Sequence, residues 1–276
     1  MNRPSMRLNG PARAAIGTTI ASTAIPALAS ARHQVSQLLH GRFPAVAVTG
    51  MTGVGKTRLA DRLARRSTPD AAAEVGSATM ERRTRRSAKG KGFRFRVVPG
   101  DNAATRLGAL DEVFHDEPVD GVLHVVAYGH ATARRTAGTT GHAEATRDQQ
   151  LAAELEDFSI TAHRIASMAV RRGKPVWLII VVTKTDLYPD QVDEAVAYYS
   201  PGSGSPFGAK LDELRALAGG ARLSIDVLPV CALESKEAKE AAKGTKRRKG
   251  EIAPAKQCAA MLSALEARLG QLSGHV

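Results

Sequence analysis

The sequence predicts an α/β domain of three layers, with helices on both sides of a six-stranded, mostly parallel sheet that carries one antiparallel edge hairpin. Three observations predict it. From residue 45 onward, short β-rich runs alternate with helical stretches, the pattern of βα units around a parallel sheet. A glycine-rich segment stands between the first such run and the first helix. The 276 residues are 43% hydrophobic and 24% charged, ordinary globular usage that excludes disordered, collagen-like and coiled-coil chains.

Taken in order, the expected strands are 45–49, 79–86, 93–98, 121–128, 176–182 and 225–230. Residues 87–92, SAKGKG, are rich in turn formers, so the second and third strands are expected to pair as an antiparallel hairpin and the others in parallel. Helical periodicity marks 57–66, 143–172, 209–217 and 254–272, while the polar Gly/Ser/Pro piece 200–208 reads as a loop. In the second helix Leu151, Leu155, Phe158, Ile165 and Met168 fall on one side, a core-packing face.

Residues 1–42 stand apart as an arm or leader helix ahead of a domain at 43–276. Arg3, Arg7 and Arg13 precede an uncharged stretch that superficially copies an export signal, but its threonines, serines, Gly17 and Pro26 weaken any apolar driving force for insertion. The expected location is cytoplasmic, with membrane-surface attachment through 1–42 as the alternative. Two cysteines, Cys231 and Cys258, argue against a disulfide scaffold and for a reducing compartment.

The net charge of +12 is localised. Between Arg82 and Arg96 there are eight cations and no acid, and between Lys236 and Lys249, a basic insertion, seven cations and two acids. The rest of the chain is close to neutral. Two such tracts suit a polyanion partner, RNA or an anionic membrane, although solvated charge is the plainer reading, the aromatics among them being confined to Phe93 and Phe95.

The sharpest motif is Gly50-Met51-Thr52-Gly53-Val54-Gly55-Lys56-Thr57, which satisfies G-x-x-x-x-G-K-[ST] between a strand, AVAVT, and a helix, TRLADRLARR. Glycines there let backbone N–H groups curl inward at a helix N-terminus, a ready anion cradle. In this pattern Lys56 reaches the β- and γ-phosphates and the Thr57 hydroxyl ligates magnesium. A second constellation, Thr183-Lys184-Thr185-Asp186, ends the apolar run WLIIVV. An aspartate in that place can accept from the ring N–H and the exocyclic amine of guanine. A site built for those bonds rejects an analogue lacking them by about 10⁴. The Lys184 stem would lie along the purine. Cys231-Ala232-Leu233 follows the last strand and offers a backbone N–H to the guanine carbonyl.

These three elements, in this order, resemble the Ras-like and Era-like translation-factor class of P-loop GTPases over roughly residues 45–272. The resemblance implies a six-stranded sheet with one antiparallel hairpin, GTP/GDP and Mg²⁺ as ligands, and a protein effector or regulator as partner. It carries over Gly50, Gly53, Val54, Gly55, Lys56 and Thr57 for phosphate, Thr183, Lys184 and Asp186 for the base, and Ala232 for the family's serine-alanine-lysine/leucine element, with Cys231 in place of serine. Thr79 and Thr84 are candidates for the switch threonine that joins Thr57 on the metal. Thr79 is preferred because it opens the expected edge strand, 18 residues before the next motif.

One departure weighs as much as the match. Where the family writes D-x-x-G, this chain writes Val97-Val98-Pro99-Gly100. Gly100 keeps the N–H that senses a γ-phosphate, but Val97 cannot hold magnesium through water. Asp101 stands where many members carry a water-orienting glutamine. Arg106, Arg134 and Arg135 are conceivable arginine fingers, though surface arginine is the plainer reading of each. The expectations are therefore a GTP/GDP switch with slow or partner-dependent hydrolysis or a non-hydrolysing GTP/GDP-binding scaffold, with a P-loop kinase a third. Ligand spacing for zinc and a G-x-S-x-G nucleophile are both lacking.

Overall fold

The computed structural model describes residues 43–65, 79–86, 92–100, 103–131, 145–232 and 254–274. The arm at 1–42, the basic tract 236–249, Leu233, Asp101, Arg134 and Arg135 lie outside the described residues. The fold below belongs to the unit Pro44–Val276.

The element order is β1 (Ala45–Thr49), α1 (Lys56–Leu63), β2 (Glu81–Arg86), β3 (Gly92–Val97), α2 (Ala103–Asp111, continued by a wider turn at Glu112–Asp116), β4 (Gly121–Val126), α3 (Arg147–Arg171), β5 (Val176–Val182), a short 3₁₀ turn (Pro189–Gln191), α4 (Val192–Tyr198), α5 (Pro206–Ala218), β6 (Leu223–Pro229) and α6 (Pro254–Leu272). The six strands form one sheet in the order β2-β3-β1-β4-β5-β6. Only β2 and β3 pair antiparallel, with Glu81 opposite Val97 and Arg86 opposite Gly92; every other pair is parallel. This is the expected architecture.

β1, β4 and β5 are buried along their whole length, because continuous apolar runs suit strands covered on both faces. On one face Ala47, Val122, Val126 and Ile180 pack with Leu110 of α2 and Phe114 of its continuation, Phe158 and Ile165 of α3, and Phe207 and Leu211 of α5. On the other, Val46, Val48, Leu123 and Ile179 pack with Leu59 and Leu63 of α1 and Leu265 and Leu269 of α6. Helix α3 begins at a capping box: the Thr146 hydroxyl accepts from the Gln149 backbone N–H at 3.3 Å and the Gln149 side-chain oxygen Oε1 accepts from the Thr146 backbone N–H at 2.9 Å.

Helices α2 and α4 are additions to the sequence reading. The spacing of Leu110, Val113 and Phe114, all fully or almost fully buried, was the available signal for the first. The expected loop at 200–208 gives way at Pro206 to α5, whose first turn is capped by the Ser205 hydroxyl accepting from the Gly208 N–H at 2.8 Å. None of the described helices is long and apolar enough to cross a membrane.

The edge hairpin holds its charge differently from a free basic surface. Arg83 lies 2.6 Å from Asp61 of α1 and 2.7 Å from Glu81, Arg85 lies 2.8 Å from Glu266 of α6, and Arg96 pairs with Glu117. Arg82 reaches Glu112 at 2.8 Å with 67% of its side chain exposed. Acids supplied by three other segments thus offset much of a tract that contains none.

Candidate nucleotide site

Because β3, β1, β4, β5 and β6 all run the same way, the loops after them meet at one edge of the sheet. The chain leaves β1 toward β3 on one side and returns to β4 on the other, which opens a crevice at the end of β1, the usual binding place in such sheets. Gly50 to Thr57, Gly100, Thr183, Lys184, Asp186, Cys231 and Ala232 sit in these loops or at the start of α1, whereas Thr79 precedes β2, Thr84 lies in β2 and Arg106 lies on α2.

The segment 50–57 forms the expected cup. Gly50, Gly53 and Gly55 take φ values of 129°, 79° and 97°, a region that favours glycine. A Cβ on Gly50 would stand 2.3 Å from the carbonyl oxygen of Val125, so close approach of β4 adds a second reason for glycine. The Lys56 ammonium donates to the carbonyls of Gly50 and Met51, both at 2.8 Å, and so folds back over the cup. Helix α1 has no side-chain N-cap and no acid in its first turn, which leaves its N–H groups and dipole available to an anion. Thr57 is its second residue and is half-buried.

Gly100 closes on the cup from β3. A Cβ there would lie 2.8 Å from the Thr52 backbone nitrogen and 2.8 Å from the Lys56 ammonium nitrogen, so a side chain at 100 would push this segment off the cup. Val97 is 1% exposed, its side chain in the core against α1. Thr79 is exposed, two residues before β2. Extending the β2–β3 register sets it opposite Pro99, level with the cup end of the sheet.

On the base side, the Thr183 hydroxyl lies 2.7 Å from the Val54 carbonyl and 2.9 Å from that of Val126, and donates into this pair of acceptors. It joins the end of β5 directly to the phosphate loop. Lys184 has a positive φ of 58°, and its ammonium donates to the His130 carbonyl at 2.8 Å. Burial lowers its pKa to about 8. Asp186 is exposed, with Oδ1 3.6 Å from the Cys231 sulfur. Ala232 follows Cys231 at the end of the described stretch.

Cys231 and Cys258 are joined as a disulfide, their Cα atoms 4.8 Å apart. The sequence reading, which took two cysteines as arguing against a disulfide scaffold, did not anticipate this single pairing. Residues 27 apart in sequence meet because α6 returns beneath the base loop. With its sulfur so engaged, Cys231 offers a ligand only its backbone.

Sequence reasoning missed a set of buried polar groups behind both halves of the site. His124 of β4 shares a hydrogen bond of 2.9 Å between Nδ1 and the Thr49 hydroxyl, and its Nε2 lies 4.0 Å from Asp157 of α3. Burial, aided by the charges of Arg106 and Lys56, lowers the His124 pKa to about 3 and keeps the ring neutral. Arg106, expected on the surface, instead projects inward from α2, 2.6 Å from the Asp157 carboxylate, and donates to the Asp157 backbone carbonyl at 3.3 Å. Burial raises the Asp157 pKa against the pull of Arg106 and Lys56.

Next to it on α3, Glu154 accepts from the Ala127 N–H at 2.9 Å and from the Tyr199 hydroxyl. Burial raises its pKa too. It thereby anchors the turn after β4, where Tyr128 has φ 51° and His130 stacks on Tyr188 at 4.9 Å. That turn supplies the carbonyl that holds Lys184.

The uncapped helix start and the Lys56 ammonium beside it have the chemistry that suits an anion such as phosphate. Magnesium finds a poorer set. The described residues hold no group of three potential metal-ligating His, Cys, Asp or Glu side chains, and Val97 gives no carboxylate where one is needed. Among the described residues, the donors that the sequence nominated for it are the Thr57 hydroxyl and, by its register, Thr79.

No family model and no curated protein matches the chain. Among solved structures it is similar to a bacterial selenocysteine-specific elongation factor, EF-Sec, with 15% identity and a TM-score of 0.38. The match covers 73% of this chain and 28% of that one. The chain is a three-layer α/β protein. That assignment stands on its own sheet order and on the two faces of helices, and the superposition adds nothing about activity.

Proposed function

We propose that this chain binds guanine nucleotides and acts as a GTP/GDP switch whose hydrolysis is slow or supplied by a partner. The observation that carries the reading is the hydroxyl of Thr183 set against the carbonyl of Val54, which ties a T-K-x-D strand end to a glycine phosphate loop at one edge of the sheet. In this reading, N–H groups of the cup and Lys56 take the phosphates. Lys184 lies along the purine, the Asp186 carboxylate accepts from the two N–H groups that distinguish guanine, and backbone at Cys231, Ala232 and Leu233 meets its carbonyl. Gly100 senses the γ-phosphate through its N–H, and Thr79 follows it from the edge of the sheet. Bound magnesium would neutralise phosphate charge through the nucleotide's own oxygens and Thr57.

A specific observation favours a second reading, a GTP/GDP-binding scaffold that does not turn over: the side chain at 97 is apolar and 1% exposed. Partners in either reading are a protein effector or regulator, with RNA or anionic membrane bound through the basic tracts Arg82 to Arg96 and Lys236 to Lys249 as the alternative. The ion pairs of the hairpin shift that alternative toward the second tract. Competition of GTP, GDP, ATP and XTP for a fluorescent guanine nucleotide, with Lys56→Ala as blank, tests the main reading. Single-turnover hydrolysis at saturating protein separates it from the scaffold.

A further inference from the structure

We infer that Cys231 and Cys258 form a thiol–disulfide couple that sets how firmly the base end of the site holds guanine, an inference that rests on the nucleotide-binding reading above. The disulfide is not needed to hold the fold together. Stapled folds are small domains short of core, whereas here two extensive apolar clusters pack on the two faces of the sheet. The cysteines belong to neither. They make a separate small cluster with Ala255 and Met261, at the end of β6 where the base loop begins.

What the sulfur touches gives the couple a consequence. Cys231 Sγ lies 3.6 Å from Asp186 Oδ1, within hydrogen-bond range for sulfur. As half of a disulfide it has no proton to give, and the carboxylate is left to accept from guanine. As a thiol it donates S–H to Asp186, occupying an oxygen that the base would use. Reduction also frees α6 from the base loop, leaving the Thr185 hydroxyl on the Met261 sulfur at 3.5 Å as a remaining tie. Both effects weaken guanine binding in the reduced form.

The chemistry balances with a low-molecular-weight thiol as reductant. Its thiolate attacks Cys258 Sγ, the more accessible sulfur at 8% residue exposure against 1% for Cys231. The S–S bond breaks, Cys231 leaves as thiolate and takes a proton, and a second small thiol resolves the mixed disulfide. Two electrons pass to the protein, Cys258 gains the second proton, and the reductant ends as its own disulfide. Oxidation by that small disulfide reverses each step.

Linkage makes the effect reciprocal: whatever factor reduction takes from GDP affinity, bound GDP takes from the ease of reduction. The experiment equilibrates full-length protein in glutathione buffers of set ratio, with and without GDP, counts free thiols by alkylation, and measures GDP affinity at each end point. A weak hydrogen bond to a carboxylate predicts GDP binding about fivefold weaker after reduction, and a thiol–disulfide equilibrium constant, read from the thiol count across the buffers, shifted by the same factor at saturating GDP. Cys258→Ser, which leaves the Cys231 thiol unpaired, is expected to bind in reduced glutathione as the reduced parent does. Two free thiols in oxidised glutathione, or guanine affinity equal within about twofold in both states, would overturn the inference while leaving nucleotide binding intact. Loss of guanine preference in both states would instead remove the reading beneath it.

Discussion

At the phosphate end, eight consecutive residues build the site, and the backbone makes most of it: three glycines at positive φ, carbonyls that hold Lys56, and N–H groups at an uncapped helix start. At the base end, Lys184 and Asp186 depend on groups from distant parts of the chain. His130 holds the lysine, Glu154 holds the turn that carries His130, Thr183 fastens the strand end to Val54, and Cys258 fixes Cys231 from α6. A site made of contiguous backbone tolerates little change inside it and takes few side chains from elsewhere. A site assembled from dispersed side chains can be loosened from many places, one contact at a time.

The largest effect tests the contiguous half. Lys56→Ala removes the only side-chain cation in the cup and is expected to lower affinity for every nucleoside triphosphate by about 10² or more with little change in melting temperature, since a charge-assisted contact of about 2–3 kcal/mol is lost. Equal losses for GTP and ATP in equilibrium binding would mark it as a phosphate effect, and a loss for GTP alone would break the distinction between the ends.

Next comes Arg106→Ala. It leaves the Asp157 carboxylate buried without its partner, which costs about 3–5 kcal/mol in chemical denaturation. Replacing the pair together, Arg106→Met with Asp157→Leu, is expected to recover much of that loss. A single variant as stable as the parent would show that α2 is not anchored there.

Glu154→Ala sharpens the comparison directly. Loss of the acceptor for the Ala127 N–H and the Tyr199 hydroxyl costs about 1–3 kcal/mol and loosens the turn under Lys184. Guanine preference is expected to fall while the phosphate contribution, read from inorganic triphosphate competition, stays.

A smaller effect is set by pH. The folded protein keeps His124 neutral down to about pH 3, whereas an unfolded chain protonates it near its ordinary pKa of 6.5. The unfolded state therefore binds more protons between these values, and stability attributable to His124 falls as pH drops through that window, by up to about 1.4 kcal/mol per pH unit. Burial raises Glu154 and Asp157, so their contribution runs the other way, favouring the fold on acidification. The ring shifts of His124 in NMR separate the two: they are expected to stay those of neutral imidazole at pH 5, and a midpoint near 6.5 in the folded protein would contradict its buried placement. Arg82→Ala, an exposed pair, is expected to change stability by less than about 1 kcal/mol.

The same contrast explains what could be read from sequence. Strands 45–49 and 176–182 and helix 254–272 were legible to the residue, because unbroken apolar runs and a clean helical period have one reading. The cup was legible because its chemistry lies in adjacent residues. Arg106 was not, since its partner Asp157 is 51 positions away and on another helix. The arginine hairpin looked uncompensated for the same reason: Asp61, Glu117 and Glu266 reach it only through the fold. Helix α4, seven residues long, is too short for periodicity to declare itself.

The central claim is that the end of β5 selects guanine while the cup takes any triphosphate. Measuring GTP, ATP and XTP affinities for the parent and for Asp186→Asn tests it most directly. The account predicts that the parent prefers GTP over ATP by at least about 10² and that the amide, able to donate to the extra carbonyl of xanthine, moves preference from GTP to XTP. Equal affinity of the parent for GTP and ATP, or an unchanged preference in Asp186→Asn, would contradict it.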